Sequence, residues 1–177
     1  YVELRKVNPR VCDYLNEAVK ETLYYAMKEN DSKEVGLAMD LRTYKHKLVK
    51  GKEHSVNFMN NDTAYHLIRN GERHGVALIH NHPSNTMFSV RDFNNFCIRN
   101  TVGIYIVVGN KGSVFAMEKL DGFNGTEVIR LFSQKLKEHS RRSDLPENII
   151  SQRILRQILR DHSEKINIIF IERGEEG

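Results

Sequence analysis

Residues 75–79, Gly-Val-Ala-Leu-Ile, run without a polar break and pass straight into His80-Asn81-His82-Pro83. A strand that is continuously apolar, rather than alternating, is buried on both faces, so this stretch predicts a central strand with helices packed over it. The rest of the chain reads accordingly. From Val11 to Glu29, apolar residues at Val11, Tyr14, Leu15, Ala18, Val19, Leu23 and Ala26 recur at three- and four-residue steps, and Asn30-Asp31-Ser32 ends that amphipathic helix. Glu34–Asp40 is strand-like, and Lys45–Lys50 and His54–Phe58 read as two further strands joined at Gly51. Asn61-Asp62-Thr63 opens a second helix that Gly71 stops, and Ser89 starts a third that runs to about Asn100. Gly103–Gly109 and Ser113–Met117 flank Asn110-Lys111-Gly112, a hairpin signal. Val128–Ser140 and Asn148–His162 are helical on either side of Pro146, and Ile166–Ile171 is a last strand. The expected fold is α+β with α/β character: a mixed central sheet flanked by helices, with extra C-terminal helices. An N-terminal helix (residues 1–33) would pack on a core (34–122), and a boundary near Asp121–Gly125 would separate that core from a C-terminal helical extension with a terminal strand (123–177).

Composition excludes several classes. The longest apolar runs, Ile104–Val108 and Ile168–Ile171, fall far short of the ~20 residues that cross a bilayer, so no integral membrane protein is expected. In 177 residues, 27 Lys+Arg against 23 Asp+Glu leave a net charge of +4, too weak a field to imply nucleic acid without a local cluster. Cys12 and Cys97 can form at most one bridge, so no disulfide framework is expected and a reducing, cytoplasmic compartment is the default. No leader-like segment is read at the N-terminus; the chain begins at Tyr1, which leaves its natural start open.

His80 and His82 carry the chemistry. In extended backbone, residues two apart point to the same side, so both imidazoles can aim at one point where the strand ends. Pro83 turns the chain away, and the pattern Ser89-Val90-Arg91-Asp92 places Ser89 at a helix N-cap and Asp92 in the first turn. The loop between is long enough to fold Asp92 back onto the histidines. Two histidines and a carboxylate, with a fourth position for water, are the ligand count of a catalytic zinc site rather than a structural one. Zinc in such a site brings the pKa of water to about 7 and stabilises an oxygen anion.

The pattern His80-Asn81-His82-Pro83, five residues, then Ser89-Val90-Arg91-Asp92 resembles the JAMM signature of the JAB/MPN metalloprotease superfamily, in its prokaryotic RadC-like branch. The resemblance spans about Glu34 to Met117 and implies a JAB/MPN core with a cytidine-deaminase-like layout. It also implies one zinc ion on His80, His82 and Asp92, with Ser89 helping to hold the tetrahedral intermediate. Glu34, on a strand similar to the family's first core strand, is the implied general acid/base; Glu53 is the reserve. The implied activity is hydrolysis of an amide or isopeptide bond beside an extended protein or peptide tail. The loop from His82 to Ser89 is one residue shorter than the usual pattern. Asn85 and Phe88 replace its common glycine and proline.

Other features are weaker. Tyr24-Tyr25 reads as packing. Lys45, Lys47, Lys50 and Lys52 with His46 and His54 form a basic hairpin, read first as a solvated edge that discourages strand pairing. The Arg141-Arg142 pair and the Arg153, Arg156, Arg160 row are diluted by acidic neighbours. Those two basic features would be the binding face under a rival reading, a RadC-like protein of DNA transactions. A non-catalytic MPN scaffold is the third reading, and the oligomeric state, homodimer included, is left open.

Overall fold

The computed structural model describes residues 8–141 and 143–174, so most of the lead-in before the first helix, and Arg142, lie outside the described residues. The elements in chain order are α1 (Pro9–Glu29), β1 (Val35–Asp40), β2 (His46–Lys50), α2 (Asp62–Asn70), β3 (Val76–His82), α3 (Val90–Ile98), β4 (Val102–Gly109), β5 (Val114–Lys119), α4 (Gly125–Ser140), α5 (Glu147–His162) and β6 (Ile168–Arg173). The strands form one six-stranded mixed sheet in the order β2-β1-β3-β4-β5-β6. Only the β3–β4 pair is parallel; α3 makes the crossover that a parallel pair requires.

Strand alternation divides the core into two layers. Leu37, Met39, Ala77, Ile79, Ile104 and Ile106 face α1, meeting Cys12, Leu15, Ala18 and Val19. Ala38, Leu78, Tyr105, Val107, Phe115 and Met117 face the other way, where α2 to α5 cover them. Both faces of β3 and β4 are therefore buried, as their unbroken apolar runs require. Cys12 and Cys97 are buried in opposite layers and are both free thiols. Among the described residues no helix is long and apolar enough to cross a membrane.

The segment after β2 corrects one expectation: His54–Phe58 is not a strand. The ladder beyond Lys50 continues only as far as an isolated bridge between Lys52 and Ser55, after which Phe58–Asn60 forms a 3-10 turn capped by the Asn57 side chain. Burial of Phe58 decides this. Its ring lies over Gly36 of β1, where a Cβ would stand 2.5 Å from Phe58 Cζ and 2.9 Å from Val56 Cγ2. The glycine lets this segment cross the sheet beside His80, the register partner of Gly36. The last strand also starts later than expected, because Ser163–Ile166 is a 3-10 turn and Asn167 is left-handed at φ 56. Gly71 does stop α2, but with extended backbone (φ −61, ψ 155). Close approach explains the glycine there, since a Cβ would meet Val76 Cγ2 at 2.4 Å.

The C-terminal elements are part of the same layer. Val128, Phe132, Ile154 and Ile158 join the cluster of Phe93, Phe96 and Tyr105, and β6 is the sixth strand. Arg160 of the basic row forms a two-nitrogen ion pair with Glu172 on β6, which ties α5 to the sheet edge.

Candidate metal centre

β3 runs through His82 rather than ending before His80, so the two histidines are sheet residues and not loop residues. Both project into the layer of Leu78, and both are buried, at 2% and 8% exposure. Asn81, between them, points the opposite way. Its Oδ1 accepts the Val35 amide at 2.7 Å, and its Nδ2 donates to Lys33 O at 3.2 Å and to Asn110 Oδ1 at 2.9 Å. Those bonds bracket Glu34, holding the residue before it and the residue after it. Asn110 adds a bond to Ser32 O at 3.0 Å. The middle residue of the histidine pair thereby sets where the glutamate stands. We expect Asn81→Ala to cost about 1–3 kcal/mol, because it orphans the buried Val35 amide. Thermal unfolding of the variant against the original chain would check it.

Asp92 arrives from α3 by way of the short loop. Ser89 is the N-cap: its hydroxyl accepts the Asp92 amide at 3.1 Å, while Asp92 Oδ2 accepts the Ser89 amide at 2.8 Å. That reciprocal cap fixes the first turn. Asn85 and Phe88 anchor the loop. Asn85 sits at φ 58, a left-handed conformation that glycine favours and asparagine tolerates, and its side chain accepts the Ser113 hydroxyl at 2.7 Å. Phe88 is fully buried, and its carbonyl accepts Gln152 of α5 at 2.7 Å.

The result is convergence. His80 Nε2 and His82 Nε2 are 2.8 Å apart, and each stands 3.6 Å from an Asp92 carboxylate oxygen. All three ligand atoms lie within 4.8 Å of one another, and among the described residues no other group of three does so. His82 Nδ1 faces Thr86 O at 2.9 Å; when that nitrogen carries the proton, Nε2 is left as a bare lone pair. Burial pushes His80 down to about 4, against the pull of Asp92, so His80 is neutral near pH 7. Two nitrogen lone pairs this close need a proton or a cation between them.

Asp92 is held as a carboxylate. Burial pushes it up, but His80, the Ser89 hydroxyl, His82 and the Ser89 amide together leave it below its ordinary value. The Ser89 hydroxyl donates to Oδ2 at 2.6 Å, and Tyr105 donates its hydroxyl to Oδ1 at 3.2 Å. Burial, then the Asp92 charge, pushes the Tyr105 phenol well above its usual range, so it stays a donor. Its ring also stands edge-on to His80, centroids 5.6 Å apart. Sequence reasoning missed Tyr105; the signal was a polar-tipped ring in the aliphatic run Ile104–Val108. Tyr105→Phe keeps the packing and loses the donor. It should weaken divalent-cation affinity about tenfold, measured by competition with a chromogenic chelator.

Glu34, Ser89 and the three ligand residues line one cavity of about 380 Å³. Glu34 is 6% exposed, and burial, then the Asp92 charge, pushes it up to about 8 against the opposing pull of Arg91 and the Val56 amide. Glu53 does not line the cavity; it is exposed beside His54. The arrangement can hold a metal ion at the cavity floor with a carboxyl group beside it. Searched against family models, curated proteins and solved structures, the chain matches none.

Proposed function

We propose that the chain is a zinc-dependent hydrolase of JAMM type that cleaves an amide or isopeptide bond of a protein or peptide substrate. The observation that carries this reading is the convergence of His80, His82 and Asp92 in a cavity that also holds a buried glutamate. The donor set fits the ion: ligand atoms around tetrahedral zinc stand about 3.4 Å apart, given bonds of about 2.0–2.1 Å. The two imidazole nitrogens stand 2.8 Å apart and each lies 3.6 Å from a different Asp92 oxygen. With one atom taken from each residue all three lie within 4.8 Å, so a small turn of the carboxylate brings one oxygen to that tetrahedral spacing from both. When bound, zinc makes water acidic near neutral pH and stabilises negative charge developing on a carbonyl oxygen.

The chain's own groups do the rest. His80 and His82 supply ring nitrogens, and Ser89 and Tyr105 hold the Asp92 carboxylate in place. Glu34 accepts a proton from water and returns it to the departing amine nitrogen. A value of about 8 suits the task, because a nearby cation draws a carboxyl downward, toward neutrality. The single Ser89 proton is donated to Asp92, so the oxyanion role implied by the family resemblance requires that hydroxyl to rotate toward the cavity.

The test is metal analysis of the purified chain followed by assays on quenched-fluorescence peptides and on isopeptide-linked substrates. One zinc per chain with zinc-dependent cleavage of either substrate is the expected result. Stoichiometric zinc with no cleavage of any amide would overturn the hydrolase.

A further inference from the structure

The sheet begins with β2, whose outer edge has no partner strand among the described residues. Residues 47–52 line a groove of about 580 Å³ along that edge. Tyr25 of α1 stands on one flank, and Asn57, Asn60 and Asn61 stand on the other. Strand alternation sends cations to both flanks. Leu48 packs in the α1 layer and Val49 in the α2 layer, so Lys50 projects toward α1 and Lys47 toward α2. The Lys50 ammonium accordingly lies 5.6 Å from the Tyr25 ring centroid. Lys52 extends the row, and Ser55, Asn57 and Arg91 line both the groove and the metal cavity, so the two adjoin across these residues. Among the described residues no carboxylate lines the groove, and its lysines and Arg91 are exposed.

We propose that this groove is the substrate subsite leading to the metal centre, and that it takes an extended, acidic polypeptide segment. That it leads to catalysis rests on the hydrolase reading; what it binds rests on the groove alone. A chain added to an edge strand uses the open backbone groups and presents its side chains alternately to the two flanks, where Lys47 and Lys50 wait. The asparagines contribute little recognition, because Asn57 caps the 3-10 turn and bonds Asn60, while Asn61 caps α2. Charge is what remains to select the occupant. A nucleic-acid strand has no use for a sheet edge, and the groove's aromatic ring is already covered by Lys50, leaving no platform for base stacking.

The test is fluorescence anisotropy on the full chain, loaded with zinc and carrying Glu34→Gln so that no probe is cleaved. The probes are a labelled octapeptide alternating Glu and Ala, its Gln-for-Glu counterpart, its Lys-for-Glu counterpart and a labelled oligothymidine octamer. The Glu peptide should bind about tenfold tighter than the Gln peptide in low salt, with the advantage shrinking as salt is raised. Lys47→Gln with Lys50→Gln should erase that advantage. Lys47→Glu with Lys50→Glu should transfer the preference to the Lys peptide, which a general loss of folding cannot do. Equal binding of the Glu and Gln peptides overturns the proposal. So does oligothymidine binding that exceeds the Glu peptide and is lost in the same variants. The two readings fail separately: a retained Glu preference without cleavage of any amide removes the hydrolase and leaves the groove. Equal kcat/KM of the original chain on Glu and Gln peptides removes the groove and leaves the hydrolase.

Discussion

Glu34→Gln is expected to lower kcat on any cleaved amide by about 10²–10⁴-fold, the usual contribution of a positioned acid/base, with zinc retained at one per chain. Glutamine keeps the shape and the capacity to accept the Val56 amide but cannot carry a proton from water to the amine. The same variant has a second signature in the metal-free protein. Glu34 is raised to about 8 in the fold, against 4.5 for a free glutamate, so the folded chain keeps a proton that the unfolded chain releases. Folding stability is then full below about pH 4.5, declines as pH rises, and levels off above about pH 8. Glutamine has no such loss. After allowance for water at the cavity mouth, metal-free Glu34→Gln should exceed the original chain by about 2 kcal/mol at alkaline pH, with the gap closing toward pH 4.5. Urea titrations with chelator present across that range would check it; a gap that does not change with pH would show that Glu34 is ordinarily solvated.

Asp92→Ala is expected to abolish stoichiometric zinc, with apparent affinity lower by at least about 100-fold, since only two histidines and no carboxylate of the triad remain to hold a divalent cation. Two further costs follow from the geometry. The Ser89 amide loses the reciprocal half of its cap, worth about 1 kcal/mol, and the buried Tyr105 hydroxyl loses its acceptor. The Tyr105 effect supplies an internal control. In the original chain Tyr105→Phe deletes a made hydrogen bond and should cost about 1 kcal/mol, whereas in the Asp92→Ala background it deletes an orphaned hydroxyl and should stabilise by a similar amount. That change of sign, read by denaturant unfolding without metal, would establish the Tyr105–Asp92 link. Zinc would stay lost in the double variant.

Much of this centre was legible in the chain because its components are local. Extended backbone puts His80 and His82 on one side by its period of two, and the Ser89 to Asp92 spacing is a helix-cap pattern that needs no knowledge of the rest of the fold. Glu34 was named through family resemblance, and the fold brings it to the cavity across the β1–β3 register, in which Gly36 lies opposite His80. Tyr105 and the outward role of Asn81 were not legible. Tyr105 comes from the parallel neighbour of β3, reached only after the α3 crossover, and Asn81 reaches Lys33, Val35 and Asn110, all remote in sequence. The missed turn at Phe58 has the same origin: a β-prone residue followed a tertiary opportunity, the bare backbone of Gly36.

Sequence by itself determined the mixed sheet with its helices, because unbroken apolar strands can exist only when both faces are covered, and it determined which side chains are able to bind a metal. Tertiary structure alone decided that the carboxylate of Asp92 meets both imidazoles across the loop, that Glu34 is desolvated beside them, and that the lysines of β2 border a groove adjoining the same cavity. The physical reason is one of range. Periodicity and caps act over a few residues and are written in order along the chain, whereas burial, charge proximity and strand register depend on segments that only folding brings together.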